Sequence, residues 1–170
     1  MNALGLPRGS GPGAGDPADG SSPDTWPPVL MPGKKQHVLF LCTHNSARSQ
    51  MAEGWLRHLA GDRFQSHSAG TEATLVRPLA IRVMAEMGVD ISQQRSKSLD
   101  EYRDQHFDYV ITVCDQAAER CPVLPGDGSR LHWALPDPSQ AKGTAKERLE
   151  VFRAVRDELR RLIERFLGSP

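Results

Sequence analysis

At 170 residues the chain has room for one ordinary domain and is short for two. Lys plus Arg equals Asp plus Glu at 21 each, so the formal net charge is zero, which argues against a nucleic-acid binder. No apolar run approaches the roughly 20 residues that cross a bilayer, and the first residues lack the basic-then-apolar pattern of a secretory leader. Three cysteines, an odd number, do not make a disulfide framework. The expectation is a soluble cytoplasmic protein in a reducing compartment, by default a monomer.

Residues 1 to about 36 stand apart from the rest. Gly and Pro fill 14 of the first 33 positions, and the apolar residues between them are too scattered to bury a core. This stretch reads as a disordered extension, and 37–170 as the folded domain. Arg8, Lys34 and Lys35 balance Asp16, Asp19 and Asp24, so it is neither a basic arm nor an acidic tail. Trp26-Pro27-Pro28 is its one docking-like feature, and Met31 would serve as a start just before the first strand.

From His37 onward strand and helix patterns alternate. Val38-Leu39-Phe40-Leu41 is a continuous apolar run, the mark of a strand buried on both faces. Ser49 to about Leu59 follows as a helix with Met51, Trp55, Leu56 and Leu59 along one side, ended by Gly61-Asp62. Phe64 to Ser68 is a weak second strand. Pro78 suits a helix start, and Leu79, Val83 and Met87 recur at helical spacing until Gly88. Asp108 to Val113 is a strongly apolar strand running into Cys114, and Leu131 to Trp133 a short fourth one. Thr144 to Leu167 is a long helix with Leu149, Phe152, Val155, Leu159, Leu162 and Phe166 on one face. Its charges (Glu150, Arg153, Asp157, Arg160, Arg161, Glu164) read as the solvated side. This alternation predicts a single α/β domain, a central four-stranded parallel sheet with helices on both faces. Ligands bind such sheets at the carboxyl ends of the strands, and Cys42 and Cys114 both lie just past the two strongest ones.

Cys42-Thr43-His44-Asn45-Ser46-Ala47-Arg48-Ser49 joins the first strand to the first helix. A cysteine, five residues and an arginine in that setting build an oxyanion cradle around a thiolate nucleophile. Backbone N–H groups of the loop and of the helix start converge on a tetrahedral anion, their field favours the thiolate, and Arg48 adds a planar fork of donors. Asn45 suits a left-handed conformation, and Ser46 or Ser49 is placed to donate to the sulfur. The site is built for phosphate or a phosphate mimic.

Cys114 and Cys121 are separated by six residues, outside the spacing of structural zinc pairs, and no second pair exists; no metal is expected. Two readings stand side by side: isolated thiols, or a redox pair whose intervening segment partly unwinds on oxidation, since a helix would hold the two too far apart. Asp137, between Pro136 and Pro138, is either an ordinary turn residue or a general acid carried over the cradle. The six histidines show no ligand spacing.

Cys42 through Gly54 (CTHNSARSQMAEG) resembles the active-site segment of arsenate reductases built on the low-molecular-weight tyrosine phosphatase fold. The likeness spans about 37 to 167 and includes Ser68-Ala69-Gly70-Thr71, the Cys114/Cys121 spacing, and His132-Trp133 followed by Asp137-Pro138. It is strongest to the thioredoxin-coupled branch. That resemblance implies a cycle without cofactors. Cys42 attacks arsenate in the loop of Thr43, His44, Asn45, Ser46, Ala47, Arg48 and Ser49 while Asp137 protonates the leaving oxygen. Cys114 then forms a disulfide with Cys42, Cys121 moves it to Cys114–Cys121, and thioredoxin reduces it. Some members carry Gly and Cys at the positions of His44 and Ala47; the loop cysteine is outside the relay. Some bind potassium with an Asn, a Glu, a Ser and an Asp. Asn45, Glu53 and Ser68 match that set, but Lys97 stands at the acidic position, which implies no potassium requirement. The alternatives are a low-molecular-weight phosphatase acting on phosphomonoesters, which would need neither Cys114 nor Cys121, and a thiol sensor, which would need no Arg48.

Overall fold

In a computed structural model of the chain, residues 34–115 and 128–168 are described. The expected extension up to residue 33, and Cys121, lie outside the described residues. The elements are β1 (Gln36–Cys42), α1 (Arg48–Ala60), β2 (Phe64–Gly70), α2 (Pro78–Ala85), β3 (Tyr109–Thr112), β4 (Ser129–His132) and α3 (Ala145–Gly168), with 3-10 turns at Leu99–Tyr102 and Pro138–Gln140. The sheet order is β2-β1-β3-β4 and every pairing is parallel. Each predicted strand and α-helix is present, with ends moved by up to two or three residues.

The apolar run of β1 is central and splits by parity. Val38, Phe40 and Cys42 join the large core with Met51, Trp55 and Leu56 of α1 and Leu149, Phe152, Val155, Leu159 and Ile163 of α3. Leu39 and Leu41 face the other way, with Ala69, Val110 and Phe107. The three α-helices among the described residues share the first core. Among the described residues the second face is met by the 3-10 turn, through Leu99 and Tyr102. The helical cover is thus two-sided but unequal. Each fully buried aliphatic or aromatic side chain here contributes about 1.5–3 kcal/mol.

On α3 the buried stripe runs through Ile163, while Leu162 and Phe166 are only partly covered. Steps of three and four residues from Leu149 arrive at 163, and Phe166 instead makes T-shaped ring contacts with Tyr109 and Trp133. The polar side of α3 is also less solvated than its sequence suggests. Arg153 and Arg156 both grip Glu86, just past α2. Hydrogen bonds from Arg153 foremost, with Arg156, hold the Glu86 carboxyl down at about 2.

Two glycines fix where the site sits. A Cβ on Gly70, the last residue of β2 and the register partner of Cys42, would come within 2.5 Å of the Thr43 carbonyl oxygen and 2.9 Å of the Asn45 nitrogen. A Cβ on Gly54 would meet Ile91 Cγ2 at 2.5 Å. The first glycine lets the loop after β1 close over the end of β2; the second lets the 89–97 segment lie against α1.

Candidate active site

The loop between β1 and α1 winds around the Cys42 sulfur, which is almost wholly buried and belongs to a free cysteine. The Asn45 backbone N–H donates to Sγ at 3.2 Å, and Ser49 Oγ lies 2.8 Å from Sγ. Ser49 Oγ also accepts from Asn45 Nδ2 at 2.8 Å, and its own proton is available for donation to a Cys42 thiolate. Of the two loop serines, Ser49 is the one in reach. Asn45 has φ 51°, the only positive φ among the described residues other than glycine, and its backbone donation to sulfur depends on that turn.

Each loop residue has a visible anchor. Ser46 accepts the Arg77 N–H at its carbonyl, Thr43 accepts from the Glu72 N–H, and the His44 carbonyl accepts from Ser96 Oγ. The His44 ring lies at the exposed rim, 3.4 Å from a Glu72 carboxylate oxygen. Ala47 caps α1 without a side-chain hydrogen bond, so the first-turn N–H groups of the helix are not taken up by a capping side chain. Thr43 Oγ1 is buried with no hydrogen-bond partner.

Arg48 is 4% exposed, at the first residue of α1. One guanidinium nitrogen donates to the Leu135 carbonyl at 3.0 Å, and another lies 3.6 Å from Asp137 Oδ2. Asp137 caps the 3-10 turn, its Oδ1 accepting from both the N–H and the hydroxyl of Ser139. Burial alone would push its carboxyl up, but Ser139, the Arg48 charge and Gln140 outweigh burial and hold it below the usual carboxylate range. Pro136-Asp137-Pro138 is thus a turn that carries a carboxylate to Arg48.

Cys114 follows β3 at the same carboxyl edge. The register sets Thr112 opposite Leu41, so Cys114 leaves the sheet one step beyond the level of Cys42, and both belong to one core. Cys114 is fully buried and disulfide-bonded. Its carbonyl accepts the Leu135 N–H, on the same residue that anchors Arg48.

Beneath the loop, Lys97 Nζ lies 3.5 Å from Glu53 Oε1, 3.4 Å from Ser68 Oγ and 2.9 Å from the Arg95 carbonyl. Its backbone N–H donates to Asn45 Oδ1 at 2.7 Å. Ser68 donates a short hydrogen bond to Glu53. The ammonium thus takes up the oxygens that a monovalent cation would need, and the residues present do not fit a bound potassium ion.

The sequence reading overlooked Gln50, Gln94 and Ser139. Gln50 is fully buried and donates to Asn45; its place in the first turn of α1, directly after Arg48 and Ser49, was the available signal. Ser139 sits two residues after Asp137, the spacing of an Asx-type turn. The Leu135 carbonyl that holds Arg48 is backbone and leaves no trace in residue type.

Residues 37–169 match the family described as low molecular weight phosphotyrosine protein phosphatase. The chain belongs to that family. An arsenate reductase of Halalkalibacterium halodurans is 47% identical over 132 residues, covering 78% of this chain and 95% of its own. A solved arsenate reductase in an oxidized state has a TM-score of 0.66 at 33% identity, over 79% of this chain and 98% of that one. A thioredoxin-dependent arsenate reductase of Corynebacterium glutamicum gives 0.58 at 31% identity, over 84% of this chain and 66% of that one. A low molecular weight protein tyrosine phosphatase from T. tengcongensis gives 0.62 at 26% identity, a lower identity than these arsenate reductases.

Proposed function

We propose that the protein reduces arsenate to arsenite by thiolate chemistry on Cys42, recycled through Cys114 and Cys121 by thioredoxin. The observation that carries this reading is the sulfur of Cys42, free and doubly hydrogen-bonded inside an arginine-bearing cradle, with a disulfide-bonded Cys114 at the same sheet edge. A phosphatase would use the cradle but has no work for a second redox cysteine. The residue after Asp137-Pro138 is Ser139, committed to the Asp137 carboxylate, where such phosphatases usually place a tyrosine.

In the first step the Cys42 thiolate attacks arsenic(V), and an arsenic–oxygen bond breaks with its oxygen leaving as water. Asp137 is held ionised in the free site, so its proton arrives with the oxyanion. An anion that draws Arg48 toward itself and adds negative charge beside Asp137 raises that carboxyl's proton affinity. Cys114, as thiolate, then attacks the Cys42 sulfur. The arsenic–sulfur electron pair stays on arsenic, which leaves as arsenite, and a Cys42–Cys114 disulfide forms. Cys121 attacks Cys114 and expels the Cys42 thiolate, and a thioredoxin dithiol reduces the remaining disulfide by exchange. Cys42 free while Cys114 is bonded is the pattern expected after the second exchange. The cycle uses no metal or organic cofactor and suits a monomer in a reducing cytoplasm.

The test is arsenate-dependent NADPH oxidation by the full chain with thioredoxin and thioredoxin reductase. Sustained turnover that stops when thioredoxin is left out is expected. No arsenate-dependent oxidation by folded, reduced protein would overturn the reading.

A further inference from the structure

Five side chains form a continuous hydrogen-bond chain from the surface to the Cys42 sulfur, and its first four links all donate inward. Arg57 Nη2 donates to Gln94 Oε1 at 2.6 Å, and Gln94 Nε2 donates to Gln50 Oε1 at 2.7 Å. Gln50 Nε2 donates to Asn45 Oδ1 at 2.8 Å, and Asn45 Nδ2 to Ser49 Oγ at 2.8 Å. Ser49 then has one proton left, and the sulfur stands 2.8 Å away.

Backbone groups enforce the sense of every amide. Asn45 Oδ1 also faces the Lys97 N–H, which can only donate. Gln50 Nε2 also faces the carbonyls of Asn45 and Arg95, which can only accept. Gln94 Nε2 likewise faces the Gln50 carbonyl at 3.1 Å. At the outer end stands a guanidinium, a group with no acceptor at all. Turning over either buried amide, Asn45 or Gln50, would set donor against donor or acceptor against acceptor, at the cost of unsatisfied polar groups.

We infer that Gln50 and Gln94, with Arg57 as the outer terminus, are positioning residues that orient the Ser49 hydroxyl toward Cys42 and so hold its sulfur as the reactive thiolate. Aligned amide dipoles reinforce one another along such a chain, so the guanidinium charge strengthens the donor at the far end. Gln50 also ties the Asn45 carbonyl directly, which keeps the left-handed turn in register with its backbone donation to sulfur. Charged groups beside this chain are Glu53, 3.6 Å from Arg57, Lys97, whose backbone N–H meets Asn45, and Arg48, the neighbour of Ser49 in α1. The inference takes Cys42 as the nucleophile from the proposed function, but its test needs no arsenate.

The full chain carrying Cys114→Ser and Cys121→Ser has Cys42 as its one thiol, and its alkylation by iodoacetamide across pH 5–9 reads thiolate directly. Gln50→Met, which keeps length and loses both polar atoms, is expected to slow alkylation at pH 6 about fivefold and to move the profile to higher pH. Gln94→Met acts the same way by about twofold, and Arg57→Gln by less, with Arg57→Lys restoring the rate. In a Ser49→Ala background Gln50→Met has a smaller effect, because only its tie to the Asn45 carbonyl remains. An unshifted profile in Gln50→Met, or an equal loss with and without Ser49, overturns the inference. Should Gln50→Met fail to fold, Gln94→Met and the Arg57 pair decide it from the partly exposed end: unchanged alkylation in both overturns it. Alkylation that responds as expected in a protein that reduces no arsenate would sink the proposed reaction and leave this inference standing.

Discussion

The floor and the mouth of the cradle are built on opposite terms. On the floor, Asn45, Ser49, Gln50, Glu53, Ser68 and Lys97 are buried and their side-chain polar groups are bonded to one another. At the mouth, Thr43 Oγ1 has no partner, and Arg48 faces Asp137 across 3.6 Å, longer than a direct hydrogen bond. A site that must stabilise charge at the moment of reaction gains most when its donors need no reorganisation, which is what the floor provides. The mouth keeps its charges in a loose pair that an arriving oxyanion can re-partition. Rigidity and reserve are thus separated within a few ångströms.

Substitutions sharpen the contrast in descending order. Cys42→Ser removes the proposed nucleophile and is expected to abolish arsenate reduction, because a neutral hydroxyl is far weaker in this site; any residual arsenite production would count against the attack. Asp137→Asn alters only the mouth. It should lower kcat about 100-fold or more, the usual scale for a lost general acid, with little change in melting temperature; an undiminished kcat would remove Asp137 from the mechanism. Lys97→Met alters only the floor. It leaves the buried Glu53 carboxylate with the Ser68 hydroxyl and the more distant Arg57 guanidinium and should cost about 3 kcal/mol in unfolding experiments. In the unaltered protein, exchanging potassium for sodium should change neither rate nor melting temperature, and strong potassium activation would contradict the role given to that ammonium.

The smallest effect lies away from both, on the second sheet face. His67 packs against Tyr102 and Phe107, with Nε2 3.1 Å from His37 Nδ1. Burial first, then His37 and Lys97, pushes its pKa down to about 4 from the ordinary 6.5. The unfolded chain therefore binds a proton more readily, and stability should be full above about pH 6.5 and fall as pH drops toward 4. His67→Gln should flatten that decline by on the order of 1–2 kcal/mol, discounted for partial exposure. An identical pH profile in the variant would show that this histidine does not set it.

How legible all this was in the sequence follows from what residue type records. The apolar run of β1, the cradle spacing and the helical stripe of α3 were readable because burial and period dictate side-chain type. Lys97 was readable as the odd charge among matched oxygens. The unequal cover of the two sheet faces was not, since alternation of strand and helix does not say which side a helix takes. Nor was Ile163, where helical drift moved the stripe off Leu162. The amide chain was invisible for another reason: Gln94 meets Gln50 across 44 positions, a contact that only the packing of the 89–97 segment on Gly54 creates.

The central claim is most directly tested by one turnover of Cys121→Ser. Reduced variant mixed with excess arsenate should release one arsenite per protein and stop, with a Cys42–Cys114 disulfide recoverable by peptide mass spectrometry. Continued turnover at the unaltered rate with thioredoxin present, or a burst without that disulfide, would contradict the relay.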